Sequence, residues 1–418
     1  MLIPSTRKYL IGAALFTLLL IVATACAPAA PTAAPAATSA PVIQTSPPVI
    51  QTSPPVVQTV IVQGTPQTVV VTPTAAPITG KLSFDFGAGD VPTADPALAT
   101  DTSSAQVVYE TTVGLAHLNE ATGALEKGLA SDWKQSSDGL TWTFTIDKNL
   151  GVKWVKYNTQ SGKVEVVKDD SGKDRLVTAH DFEYGVKRLL DPRTASDYAS
   201  VVAAFIKGAD KFNSADPKKT ADADMTKLRD AVAIKATDDW TVQVTTNEPT
   251  GFFPEIMALA VTSAEPQWLV EDKGDRWTEA GFFQGYGPFV IKEWVHEDHM
   301  TLIANPFWPG TTSIPKSKIN EVTGYMLDTG PSLANYETGK QDISQVPLSD
   351  IDRVKADPKL SKEFSIAPQQ CTYYIGFNSK KPPFDNPKVR LAFSEAIDRQ
   401  SLVDNVTKGG QIPAQWMA

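Results

Sequence analysis

The feature that most limits what this chain can become is its opening 80 residues, which carry only two charges, Arg7 and Lys8. Residues 27–80 hold none, and they hold 11 of the chain's 31 prolines. A short repeat runs through them: Pro41-Val42-Ile43-Gln44-Thr45-Ser46-Pro47, then Pro48 to Pro54 in the same order, then Pro55-Val56-Val57-Gln58-Thr59. Pro-rich polar tracts cannot build a core and favour extended polyproline geometry. At ~3 Å per residue such a stretch reaches on the order of 150 Å. Residues 26–80 are therefore expected to be a disordered tether; the alternative is a small β-rich module from the Val-rich stretch Thr68–Thr72. All 47 acidic residues, and every basic one but Arg7 and Lys8, lie in 81–418. They make up roughly a quarter of that stretch, an ordinary globular composition. The formal charge of −9 argues against a nucleic-acid partner, which would require a basic face.

Arg7 and Lys8 precede an apolar run from Leu10 to Ala23. A positive start, a short greasy middle and small residues at the end are a signal-peptide pattern. At about 14 residues the run falls short of the ~20 that a membrane span needs. It ends in Ala23-Thr24-Ala25-Cys26, which resembles a bacterial lipobox, with Ala23 where Leu is usual. That resemblance implies a lipoprotein signal peptide over 1–25 and lipidation of Cys26. The chain would then sit extracytoplasmically, on the outer face of the cytoplasmic membrane. The other reading is a plain signal peptide with an incidental cysteine. If Cys26 is acylated, Cys371 has no intramolecular partner, and its apolar-aromatic setting marks it as a buried structural thiol.

The body alternates strands and helices. Lys81–Gly87 places Leu82, Phe84 and Phe86 at period 2, and Leu140–Ile146 does the same after an Asp138-Gly139 turn. Val164–Val167 and Leu176-Val177 flank a turn at Asp170-Ser171-Gly172 and read as a hairpin. Thr178 can cap a helix, with Asp181 three residues on, and Phe182, Val186, Leu189 and Leu190 share its face until Pro192 ends it. Val242 and Val244 alternate in Thr241–Thr245. Near the end, Asn386 can cap and Pro387 suits the first helical position, with Val389, Phe393, Ala396 and Ile397 on one face. A second helix, Arg399 to Lys408, closes at Gly409-Gly410. Interleaved strands and helices predict an α/β protein built in lobes.

Catalytic motifs are absent: there is no G-x-S-x-G elbow, no Walker loop and no G-x-G-x-x-G after a strand. His296-Glu297-Asp298-His299 is one residue short of the spacing that brings two histidines to one zinc ion on a helix. Its flanks read as strands, so the pair is placed at a solvated hairpin tip, and no metal site is assigned. Asp169-Asp170 and Asp238-Asp239 sit in turn contexts. Most of the nine tryptophans are expected in the core, although a few lining a cleft would suit peptide or sugar binding.

In order along the chain, several segments look familiar. Asp90–Ala97 is similar to a first-strand "LDPA" loop, Val108-Tyr109-Glu110 to Gly114-Leu115 to a "YEGL" helix, and Leu129–Trp133 with Ser137–Phe144 to "LAESW…SDDGLTYTF". Thr178–Phe182 resembles "TAEDV", Gly285–Phe289 "GTGPF" with Tyr286 in place of Thr, and Asn305-Pro306 with Trp308 "NPDYW". Phe377-Asn378, Pro382–Asp385, Val389-Arg390, Ala392-Phe393 and Ala396–Arg399 complete the series. Over 81–415 the body resembles the family 5 extracellular solute-binding proteins of ABC importers, the oligopeptide- and dipeptide-binding group.

The resemblance implies a two-lobed fold of the periplasmic-binding-protein type II kind with an accessory subdomain. The main lobe would use 81–107 plus 228–285, the accessory subdomain 108–227, and the second lobe 286–418, incomplete at Ala418 because relatives run further. Residues 155–175 lengthen a segment that is short in the family and are expected to form a surface hairpin. The implied function is capture of peptides in an interlobe cleft and delivery to an ABC permease, by a monomeric receptor with no catalytic residues and no cofactor. Expected ligand contacts are Val91, Pro92, Thr93, Tyr286 and Trp308, with packing at the hinge between lobes the other reading of Tyr286. The carboxylate that pairs with a ligand amine falls beyond Ala418 in the family pattern. Alternatives are a surface glycan or peptide hydrolase, or the same fold binding an oligosaccharide, an opine or a nickel chelate.

Overall fold

The computed structural model describes residues 56–62, 65–71, 80–366 and 372–414. The expected signal peptide over 1–25, Cys26 and Cys371 lie outside the described residues. The chain divides into two units, Met1–Ala76 and Pro77–Ala418. In the first, Val56–Val62 (β1) and Thr65–Val71 (β2) form an antiparallel hairpin with Thr59 opposite Thr68. Part of the stretch expected to be a plain tether is thus a β-ribbon, for which its Val, Ile and Thr content is suited.

The second unit contains two four-stranded sheets. Its strands are Gly80–Asp85 (β3), Ala116–Leu118 (β4), Leu125–Lys127 (β5), Ala130–Gln135 (β6), Thr141–Ile146 (β7), Val155–Asn158 (β8) and Lys163–Val166 (β9). They continue as Ile234–Asp238 (β10), Thr241–Thr245 (β11), Phe289–Val295 (β12), His299–Ala304 (β13) and Ile319–Tyr325 (β14). One sheet runs β10-β11-β7-β6, all antiparallel. Trp142, Phe144 and Ile146 of β7 and Val242 and Val244 of β11 turn one face inward, as their period-2 spacing predicts. The Ala179–Leu189 helix covers that face with Phe182, Val186 and Leu189. Its start is a capping box: Asp181 reaches back to the Thr178 N–H at 2.8 Å. Burial raises the Asp181 pKa to about 6, although it also accepts from Trp154 Nε1 at 3.3 Å.

The other sheet runs β12-β13-β14-β3, with β14 parallel to β3. Both sheets draw strands from across the expected boundaries. Residues 289–325, assigned from sequence to the second lobe, share a sheet with 80–85 of the main lobe. Residues 234–245, assigned to the main lobe, share a sheet with β6 and β7 of the accessory subdomain. The cause is long-range pairing, Lys81 to Glu321 for instance, 240 residues apart, which no local period can reveal.

The β8–β9 hairpin forms where an insertion hairpin was expected, though its root is anchored, with Val155 fully buried and bridged to Gly285. His296 and His299 do flank the β12–β13 turn. Asn386 caps the Pro387–Glu395 helix by accepting from Lys388 N at 2.9 Å. The helix expected over 399–408 is a single turn, Arg399–Leu402, followed by a π-helical turn, Val403–Thr407. None of these three elements buries a residue.

Candidate ligand-binding site

Ligands of open α/β sheets lie beyond the carboxyl ends of parallel strands. Here that end belongs to β3, and the segment leaving it, residues 86–101, carries three of the five expected contacts. Gly87 (φ 102°) and Gly89 (φ 95°) let the chain turn sharply off the strand. Val91 then plugs into the core, while Pro92 is exposed and Thr93 half-buried. Thr93 is held at both ends: its N–H donates to Ser104 Oγ at 3.2 Å, and its hydroxyl oxygen accepts from Asp95 N at 3.0 Å.

Two charged clusters fasten this loop. In the first, Arg188 donates to both oxygens of Asp95, at 2.8 and 2.6 Å, and to Glu265 at 2.9 Å. Trp277 Nε1 adds a third donor to Asp95 at 3.0 Å. Glu265 is fully buried and its Oε1 has no partner among the described residues. Burial pushes its pKa up to about 8 against the pull of Arg188, with Asp95 adding to the rise. In the second cluster, Asp90 accepts from Trp294 Nε1 at 3.0 Å and meets His296 Nδ1 at 2.6 Å, while His296 Nε2 lies 3.2 Å from Glu279. Below the loop, Asp85 at the end of β3 accepts from Ser332 at 2.7 Å and Gln341 at 3.2 Å, in a buried polar knot that ties in the Thr329–Glu337 helix.

The remaining two expected contacts are elsewhere. Tyr286 is fully buried; its hydroxyl donates to Val113 O at 3.2 Å and accepts from Ala264 N at 3.0 Å. Its ring stands edge-on to Trp154, with centroids 4.8 Å apart. Burial raises the phenol pKa. On either side, the backbone presses against the end of the Thr102–Thr111 helix: Tyr286 N and Gly287 N both donate to Thr111 O, at 3.0 and 2.8 Å. A Cβ on Gly287 would lie 2.6 Å from the Thr111 carbonyl carbon. Gly285-Tyr286-Gly287 is a packed joint, and Tyr286 has no surface left for a ligand. Trp308 is 2% exposed and donates to Ile314 O at 3.2 Å. The sequence could not separate these roles, because an aromatic beside a strand reads alike whether it lines a cleft or fills a core.

A cavity of about 770 Å³ opens beside the Trp308 loop, between Glu126–Ser131 and Gly310–Ser313. A second, of about 450 Å³, lies along the Ala179–Leu189 helix. Its cations are all engaged, Lys187 by Glu183, Arg193 by Asp191, Arg229 by Asp230 and Arg188 by Asp95 and Glu265. Neither cavity contains Val91, Pro92 or Thr93. Among the described residues no group of three or more His, Cys, Asp or Glu side chains could hold a metal ion. No helix among them is long and apolar enough to cross a membrane.

Sequence reasoning missed the two fastening clusters. Asp95 and Arg188 lie 93 positions apart, and only the fold brings them together as a part-buried pair.

Comparison with known proteins places this geometry. Residues 124–417 match the profile described as bacterial extracellular solute-binding proteins, family 5 Middle. The chain is 34% identical over 323 residues to the oligopeptide-binding protein OppA of Bacillus subtilis, covering 76% of this chain and 53% of that one. It is 30% identical over 302 residues to the periplasmic oligopeptide-binding protein OppA of Salmonella typhimurium, covering 71% and 49%. It thus spans about half the length of the curated relatives it matches. Among solved structures it resembles the Escherichia coli murein tripeptide binding protein MppA, with a TM-score of 0.66 at 26% identity, covering 82% of this chain and 61% of that one. It also resembles Listeria monocytogenes OppA bound to peptide, with a TM-score of 0.64 at 25% identity, covering 81% and 61%.

Proposed function

The chain belongs to the bacterial extracellular solute-binding proteins of family 5, and from that premise we propose that it captures short peptides outside the cell and hands them to the permease of an ABC importer. The observation that carries this reading is the doubly fastened loop at the carboxyl end of β3. It holds Pro92 and Thr93 at the surface on a rigid base. A binding site needs such pre-ordering, because every degree of freedom frozen on binding subtracts from affinity. Recognition would follow the physics of strand addition, in which main-chain hydrogen bonds along an extended peptide supply affinity with little regard to side-chain identity. Lobes closing over the ligand would complete the capture. The relatives' printed names, two oligopeptide-binding proteins and a murein tripeptide binding protein, support the ligand class.

Lipidation of Cys26 would hold the protein at the membrane, since two acyl chains anchor stably where one does so only marginally. Binding without turnover is the expected behaviour. A peptide present at 100 times its Kd should stabilise the folded protein by about 2.7 kcal/mol. The test is thermal unfolding of the full-length protein with a panel of di- to hexapeptides, together with mass spectrometry of ligands that co-purify. A shift with peptides and unchanged peptide after incubation is the expected result. Hydrolysed peptide, or stabilisation by oligosaccharide and by no peptide, would sink the reading.

A further inference from the structure

The β12–β13 turn holds a histidine that the fold alone does not need. His296 is about half exposed, so it is no core residue. Its two ring nitrogens nevertheless face two carboxylates, Asp90 Oδ2 at 2.6 Å and Glu279 Oε2 at 3.2 Å. Ionised carboxylates only accept hydrogen bonds, and a neutral imidazole has a single N–H. Only the imidazolium can donate to both. A neutral ring would set a bare nitrogen lone pair against one carboxylate, and that contact would open.

The two carboxylates sit on different segments. Asp90 belongs to the loop that carries Val91, Pro92 and Thr93, and its other oxygen is already held by Trp294 Nε1. Glu279 follows the short Gly274–Arg276 helix. The other charged groups nearby do not offset this. Glu297, Asp298 and Glu293 share the hairpin with His296, and the last two engage His299. On the Glu279 segment, Arg276 lies over the Phe282 ring, as does Lys273, and Asp275 is a further negative charge. The Asp90 carboxylate, with Glu279 as second partner, raises the His296 pKa above its ordinary value against the opposing effect of partial burial.

We propose that His296 is a positioning residue for ligand capture: as an imidazolium it clasps the ligand-facing loop to the hairpin through Asp90 and to the 274–283 segment through Glu279, and when it loses its proton one side of the clasp opens. The proposal rests on the reading of Val91–Thr93 as ligand contacts and adds to it a proton dependence. The clasp is complete below the ordinary histidine pKa and is lost as pH rises through the raised one.

The test uses the full chain without peptide. Hydrogen exchange of the Gly87–Thr93 amides is measured at pH 6 and pH 9 and corrected for the intrinsic rate. Glu265 titrates behind the same loop, so the readout is the difference between wild type and His296→Gln. Wild type should lose about two- to fivefold more protection across that range than His296→Gln, as expected for a half-exposed ion pair. Asp90→Asn should behave like His296→Gln. Equal pH responses in all three proteins would overturn the proposal. A parallel titration with tetra-alanine separates the two claims. A pH-dependent affinity that His296→Gln flattens supports the clasp in capture. An exchange difference with no binding of tetra-alanine, nor of any peptide of the di- to hexapeptide panel, at either pH upholds the clasp and overturns the peptide reading.

Discussion

At the scale of single residues, the charges that matter are those the fold has taken out of water. Arg188, Asp95 and Glu265 place one cation between two carboxylates inside the body. Such a cluster stays balanced only while one carboxyl keeps its proton, and Glu265, with its pKa near 8, is that one. Its pKa lies above the unfolded-state value, so its contribution to stability is fully present below about pH 4.5 and is lost as pH rises through about 8. Urea unfolding of wild type should therefore show a midpoint that falls across this interval. In Glu265→Gln the fall should flatten, because the amide keeps an acceptor for Arg188 and has no proton to lose. A variant with the same slope as wild type would place the titration elsewhere. None of this was legible from residue types: Asp95 beside Pro96 reads as a turn, and Glu265 as an ordinary acidic residue.

Among the elements, the Ala179–Leu189 helix shows how a local rule and a packing rule can conflict. Glycine inside a helix costs about 1 kcal/mol relative to alanine, yet Gly185 sits buried in mid-helix. A Cβ there would stand 2.4 Å from the Ser263 carbonyl oxygen, which is backbone and cannot swing away. Gly185→Ala should thus destabilise the protein by about 1–3 kcal/mol despite its better propensity, read from a lowered denaturation midpoint with unchanged slope. A gain in stability would mean that the helix and the 260–265 segment can separate at little cost. The cap, the buried stripe and the end of this helix were all legible, because capping and 3.6-residue periodicity act within a dozen residues. The glycine's purpose was not, since its neighbour lies almost 80 positions away.

For the whole molecule, burial is uneven. The sheets and the helices over them form two large cores, one around Trp154, Phe182 and Tyr286 and one around Val290, Met300 and Trp277. Beyond residue 372 the described side chains bury little: Tyr373, Tyr374, Ile375, Leu391, Phe393 and Ile412 are all exposed. Segments with few buried contacts open at low free-energy cost. Limited proteolysis should therefore cut within 372–412 well before it cuts within 80–366, and a ligand that orders the region should slow those cuts. First cleavage inside β12–β14 would contradict this ranking.

Composition and order along the chain were enough to establish the uncharged opening, the acidic α/β body, the helix caps at Thr178 and Asn386, and the family, since each rests on short-range chemistry or on motifs kept in sequence. The pairing of strands from distant segments, the burial of Tyr286 and Trp308, and the two clusters that hold residues 86–101 were decided by the tertiary structure. These depend on which distant strands pair and which charges meet in the interior, and such contacts leave no period in the sequence because their partners lie tens to hundreds of residues apart.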